Sequence, residues 1–236
     1  MLSLIGFFTR LPVKKTSVEK ASKLSYLLPL IGLMIGALAG FFYLVIDSLF
    51  IHINDYIKVL LTIVFLYLIT GLNHLDGVAD FFDGIYCCSS REKKVKALKD
   101  TRIGIAGVVS VLFLLMFLLF SLAKSEGVFL NIITAELAAK TSMLMAMLAG
   151  KPAEDGFGRF FIKNLKKGLL PLSISFSFIA SYMLSGSRGV YALIISIIVM
   201  IVIVNMAHKH FGSTNGDVFG AVNEITRVCC LVFLLL

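Results

Sequence analysis

Residues 57–84 read IKVLLTIVFLYLITGLNHLDGVADFFDG. From Ile57 to Leu72 the only charged residue is Lys58, and Asp76, Asp80 and Asp83 follow directly. Their spacing is i, i+4 and i+7, which at about 100° per residue puts all three on one helical face. Carboxylates on one face repel one another and weaken the helix. A cation on that face removes the repulsion, and Mg²⁺ holding substrate phosphates is the chemistry such a face suits. On a soluble helix an acidic stripe is normally a solvated face. This one directly follows an apolar run, and an aspartate at the bilayer centre costs about 2.5–3.5 kcal/mol. Ionisable groups at or near membrane depth are rare and functional by default. A second part of the stretch, KDTRIGIAG at 99–107, adds Asp100 between Lys99 and Arg102.

The rest of the composition agrees with a membrane setting. The 236 residues are 58% hydrophobic and 15% charged, with a mean hydropathy of +0.96. Soluble domains carry about 25% charged residues. The expected fold class is all-α: a polytopic integral membrane helical bundle of about seven transmembrane helices, forming one domain over 1–236. The net charge of +8 reflects basic loops on one membrane face, and no nucleic-acid partner is expected. The cysteines form two adjacent pairs, Cys87–Cys88 and Cys229–Cys230, without metal or redox spacing.

Apolar runs place spans near 26–50, 57–72, 103–123, 128–150, 169–184, 189–207 and 217–236. The second is expected to continue as helix into the aspartate motif. Residues 1–25 read as an interfacial or cytoplasmic segment interrupted by Pro12. Of 22 lysines and arginines, seventeen fall in the N-terminal segment, the Arg91–Arg102 loop, the Lys151–Lys167 loop and at Lys209. That asymmetry puts the N-terminus in the cytoplasm. The same topology puts both acidic regions, 73–102 and 208–224, on the cytoplasmic face of the cell membrane. Gly32, Gly36 and Gly40 repeat every four residues, a stripe for close helix packing. It leaves open whether the partner helix belongs to this chain or to a second copy in a homo-oligomer.

Asp217 and Glu224 are again seven apart and follow the small-residue turn GSTNG. Lys99 and Arg102 flank the first acidic cluster; Lys209 and Arg227 flank the second. Carboxylates for Mg²⁺ with Lys and Arg for phosphate oxygens is the donor set of phosphoryl transfer. Glu136 and Lys140 stand at i, i+4, either as a packing ion pair or as a contact to substrate. His74, His208 and His210 are possible bases, although a lone interfacial histidine is more often structural.

FTRLP (8–12), LDGVADFFDG (75–84), LKDTRIGIAGVV (98–109) and GDVFGA with Glu224 resemble the cobalamin-5′-phosphate synthase family, also called adenosylcobinamide-GDP ribazoletransferase. The resemblance runs in order from Phe8 to Glu224. It implies a membrane enzyme that joins adenosylcobinamide-GDP to α-ribazole or its 5′-phosphate and releases GMP, with Mg²⁺ as cofactor. On that resemblance Asp76, Asp80, Asp83 and Asp100 are expected metal ligands. Asp80 or Asp83 is the expected proton acceptor, and Lys99 and Arg102 neutralise phosphate. Arg10, His74, Lys140, Asp217 and Glu224 are expected substrate contacts. Lys140 stands where the resemblance leads one to expect arginine. A CDP-alcohol phosphatidyltransferase-like lipid enzyme is the nearest alternative, but Asp80 stands where that motif has arginine. A cation transporter is the alternative of another class; it favours ionisable groups inside the spans rather than beside them.

Overall fold

The computed structural model describes residues 1–13, 17–87, 90–98 and 102–236. Lys99 and Asp100 lie outside the described residues. The described chain is helical: α1 (Leu2–Phe8), α2 (Val18–Ser22), α3 (Leu28–Leu49), α4 (Asp55–Thr70), α5 (Asn73–Tyr86), α6 (Arg91–Ala97), α7 (Ile105–Ala123), α8 (Val128–Ala149), α9 (Gly158–Lys163), α10 (Leu170–His210) and α11 (Gly216–Leu234).

Helix α8 is the axis of the bundle. Its most apolar stretch is 83% buried, whereas that of α7 is only 28% buried. The glycine stripe of α3 lies on α8. A β-carbon at Gly36 would sit 2.6 Å from the Cα of Ile133, and one at Gly32 would overlap the carbonyl oxygen of Glu136. The stripe is thus satisfied within the chain, through the close backbone approach that glycine permits.

Among the described residues four helical stretches are long and apolar enough to cross a membrane: Ser25–Leu49, Ile105–Ala123, Val128–Ala149 and Lys167–His210. A fifth arises if α4 and α5 are taken as one span, but they meet at 93°. The expected continuous helix is broken at Gly71, whose φ of 77° belongs to the left-handed side that glycine tolerates. Helix α5 therefore turns across the bundle end rather than extending α4. Helix α10 also departs from a single rod. Ser185 and Gly186 leave helical geometry, and a β-carbon at Gly189 would overlap the carbonyl oxygen of Ser181. The chain doubles back there, so both ends of α10 lie at one face. Ser173 donates to the carbonyl of Tyr26 at 2.6 Å, and the carbonyl of His208 accepts from Arg91 at 2.7 Å. The two short spans read at 169–184 and 189–207 are the two limbs of this hairpin. Helix α11 runs from Gly216, as the last span requires, yet Glu224 and Arg227 lie buried at its middle.

Candidate functional site

The site face is assembled where α5, α7 and α11 meet. Gly77 and Gly220 bring α5 and α11 into backbone contact. A β-carbon at Gly77 would lie 2.7 Å from the Asp217 carbonyl oxygen, and one at Gly220 would lie 3.1 Å from the Cα of His74. This crossing sets Asp217 against the aspartate face of α5. Asn215 caps α11, its Oδ1 accepting from Val218 N at 3.1 Å, and its amide donates to Asp217 Oδ2 at 2.6 Å.

Asp83 reaches the start of α7. Its two oxygens accept from Gly104 N at 2.7 Å and Gly107 N at 2.8 Å. Helices α7 and α11 thus both begin at the acidic cluster, and helix N-termini favour negative groups. Asp76 is exposed; Asp80 and Asp83 are half-buried. Burial first, then the charges of Asp217, Asp76 and Asp83, push the Asp80 carboxyl up to about 7. The three carboxylates read from the sequence onto one helical face are thus joined by a fourth, Asp217, which the sequence placed in a separate motif. Arg102 is exposed immediately before α7.

Among the described residues no three carboxylates, imidazoles or thiols converge closely enough to hold an ion by themselves. The donor set nevertheless fits Mg²⁺, which takes hard oxygen ligands, keeps several waters and needs only one or two carboxylates besides substrate phosphates. The carboxylate crowding that adds to burial in raising Asp80 is what a divalent cation would relieve.

Beneath this face lies a second, buried cluster. Glu136, Lys140, Asn223 and Arg227 are 0% exposed and Glu224 1%. Arg227 pairs with both Glu136 and Glu224. Tyr67 donates to Glu224 at 2.8 Å, Asn223 to Glu224 at 3.1 Å, and Lys140 to Asn223 at 2.6 Å. Glu136 and Lys140 do not pair with each other as their i, i+4 spacing suggested; Arg227 and Asn223 take them instead. Arg227, read from the sequence as a flank for phosphate, is enclosed by carboxylates and by the Tyr67 ring at 5.8 Å. Glu224 and Lys140 face this network rather than an open cleft. Two carboxylates meet two cations, the balance that buried charges require.

His74 bridges the two levels. It is 3.8 Å from Glu224 and its ring centroid is 6.2 Å from that of Phe8. Burial, then Lys140 and Arg227, hold its imidazole well below the usual range. Lys140 also lies 5.5 Å from the Phe8 ring, so the N-terminal helix covers the network rather than merely lying in the interface. Arg10 is exposed over the bend: its backbone N–H donates to Ile69 O at 2.7 Å and its side chain packs on Gly71. His208 and His210 make structural contacts, to Thr214 at 3.2 Å and to Lys94 at 2.8 Å. Tyr67 and Asn223 carried no sequence signal, being neutral residues within apolar helices. The i, i+3 spacing of Glu224 and Arg227 was the available sign of their pairing.

The family described as Cobalamin-5-phosphate synthase matches residues 1–235. An adenosylcobinamide-GDP ribazoletransferase of Pyrococcus furiosus is 37% identical, over 99% of this chain and 98% of its own length. Proteins of the same name from Methanococcoides burtonii and Thermococcus kodakarensis are 33% and 32% identical, over 97% and 100% of this chain and 89% and 98% of theirs. No solved structure matches. The chain belongs to the cobalamin-5-phosphate synthase family.

Proposed function

We propose that this protein joins adenosylcobinamide-GDP to α-ribazole or its 5′-phosphate at the cytoplasmic face of the cell membrane, using Mg²⁺ and releasing GMP. The observation that carries this reading is the α5–α11 crossing, which gathers Asp76, Asp80, Asp83 and Asp217 where two helices begin. The names of the relatives supply the activated corrinoid as substrate class. A ribose hydroxyl attacks the phosphorus attached to cobinamide, its proton leaves to a carboxylate, and the bond to the GMP phosphate breaks. Asp80 is the better proton acceptor, because both oxygens of Asp83 already accept backbone N–H groups. Asp76 and Asp217 would hold Mg²⁺ together with substrate phosphates, leaving Asp80 for the proton, with Asp83 and Asp100 as the remaining members of the acidic set. Bound there, Mg²⁺ would neutralise the pyrophosphate and the charge developing on it. Arg102, beside the start of α7, would take phosphate oxygens, as would Lys99, three residues earlier in the sequence. Glu224, His74 and Lys140 hold the crossing in place from below, and Arg10 guards the bend.

The test is purified protein in detergent, supplied with adenosylcobinamide-GDP and α-ribazole with and without Mg²⁺. GMP and a nucleotide-loop corrinoid appearing together, only with Mg²⁺, is the expected result. No product from folded protein would refute the activity, and equal product after chelation would refute the metal.

A further inference from the structure

The loop between α8 and α9 takes no part in the acidic cluster, yet it is built firmly onto the turn before α11. At one end Lys151 O accepts from Thr214 N at 2.7 Å, and Lys151 N donates to His208 Nε2 at 3.3 Å. At the other end a β-carbon on Gly158 would lie 2.8 Å from Gly216 N. Between these anchors the chain arches over, with Gly156 at a φ of 83° and the Glu154 carbonyl accepting from Arg159. Glu154 and Asp155 stand exposed at the crown.

The arch walls a polar cavity of ≈ 740 Å³ that reaches Asp217 and, on α6, Arg91. That volume lies within the range of sites for small molecules. Arg91 is held by its bond to His208 O at 2.7 Å and by packing against Gly212. Phe157, also on the cavity wall, is 63% exposed, an aromatic face turned to solvent.

We propose that this cavity seats the guanosine end of the nucleotide, with its phosphates directed to Asp217, and that Glu154 and Asp155 select guanine. The inference rests on the reading that a GDP-activated corrinoid is the substrate. The Watson–Crick edge of guanine presents two adjacent donors, N1–H and N2–H, which a carboxylate accepts together. Adenine places an acceptor at N1, which a carboxylate repels. The O6 and N7 acceptors of guanine suit the guanidinium of Arg91, and Phe157 offers a stacking face.

The experiment is equilibrium binding of GMP, IMP and AMP, in Mg²⁺, to the full-length detergent-solubilised chain and to its Glu154→Gln/Asp155→Asn variant. The wild type should prefer GMP over AMP by about tenfold or more, with IMP, which lacks the N2 amine, weaker than GMP, because a site built to accept donors rejects ligands without them. The folded variant should bind GMP and AMP within about threefold of each other. Equal binding of GMP, IMP and AMP by the wild type, no nucleotide binding, or a folded variant that keeps the preference would each overturn the proposal. Should the variant fail to fold, the wild-type series decides alone. Turnover without guanine preference removes this inference and leaves the proposed activity standing. Guanine preference without turnover does the reverse.

Discussion

Helix α11 takes part in two clusters of ionisable groups that obey opposite rules. At its first turn it adds Asp217 to the three aspartates of α5, where burial first and then the neighbouring carboxylates push Asp80 up to about 7. Two turns later it contributes Glu224 and Arg227 to a buried group in which two carboxylates face two cations and neutral Tyr67 and Asn223 complete the bonds. Burial explains the difference. Charges wholly removed from water must be matched within the protein, whereas a cluster that solvent still reaches retains its negative imbalance, which a cation would relieve. The buried group is charge-balanced; the other is the proposed site.

The sharpest way to break this comparison is Arg227→Met, which leaves Glu136 and Glu224 short of a cation. Breaking a buried pair from one side costs about 3–5 kcal/mol, so thermal unfolding in detergent should begin far below that of the wild type. Removing Glu136 as well, by Glu136→Gln, restores the charge balance and should recover much of the loss. A double variant as unstable as the single one would show that the balance is not what matters.

At the open cluster the effects should fall on turnover instead. Asp76→Asn is expected to lower GMP release about a hundredfold or more, the scale of losing a group that stabilises transition-state charge, with little change in unfolding temperature. Near-wild-type activity would remove Asp76 from the site. Gly77→Ala probes the crossing that joins the two regions. Its β-carbon would meet the Asp217 backbone at 2.7 Å, and overpacking of this kind costs about 1–3 kcal/mol. Turnover and stability should fall together. Gly216→Ala, where a β-carbon has nothing within 4 Å, is the matched control and should be near neutral.

The smallest effect concerns pH. The Asp80 carboxyl is raised from 3.8 to about 7, so its proton favours the folded form. Its contribution is full below the unfolded value and is lost as pH rises through about 7. Without Mg²⁺ the unfolding temperature should therefore decline across that window. Mg²⁺ or Asp80→Asn should flatten the decline; an unchanged slope in both would show that Asp80 does not report the crowding.

Much of this was legible in the chain. The aspartate spacing placed Asp76, Asp80 and Asp83 on one face without any structure, because helical periodicity is local. The glycine stripe of α3 announced a close helix contact for the same reason. It could not name α8 as the partner, since that choice depends on a helix some hundred residues away. The bend at Gly71 was hidden by an apolar run that reads as helix on both sides. Glu136 and Lys140 looked like a pair because spacing sees only one helix. Arg227 and Asn223, arriving from another, took them instead.

By itself the sequence determined that this is a helical membrane protein, that Asp76, Asp80 and Asp83 and, separately, Asp217 and Glu224 stand in two acidic motifs, and that its motifs belong to one family. These follow from composition, period and local motif. Only the tertiary structure decided that α5 turns across the bundle end, that Asp217 joins the aspartates of α5, and that Glu224 and Arg227 are buried in a charge-balanced network. Each of those depends on which distant helix backbone comes closest. That is set by packing among small residues at Gly77, Gly220 and the α3 stripe, a property of pairs of helices that no single stretch contains.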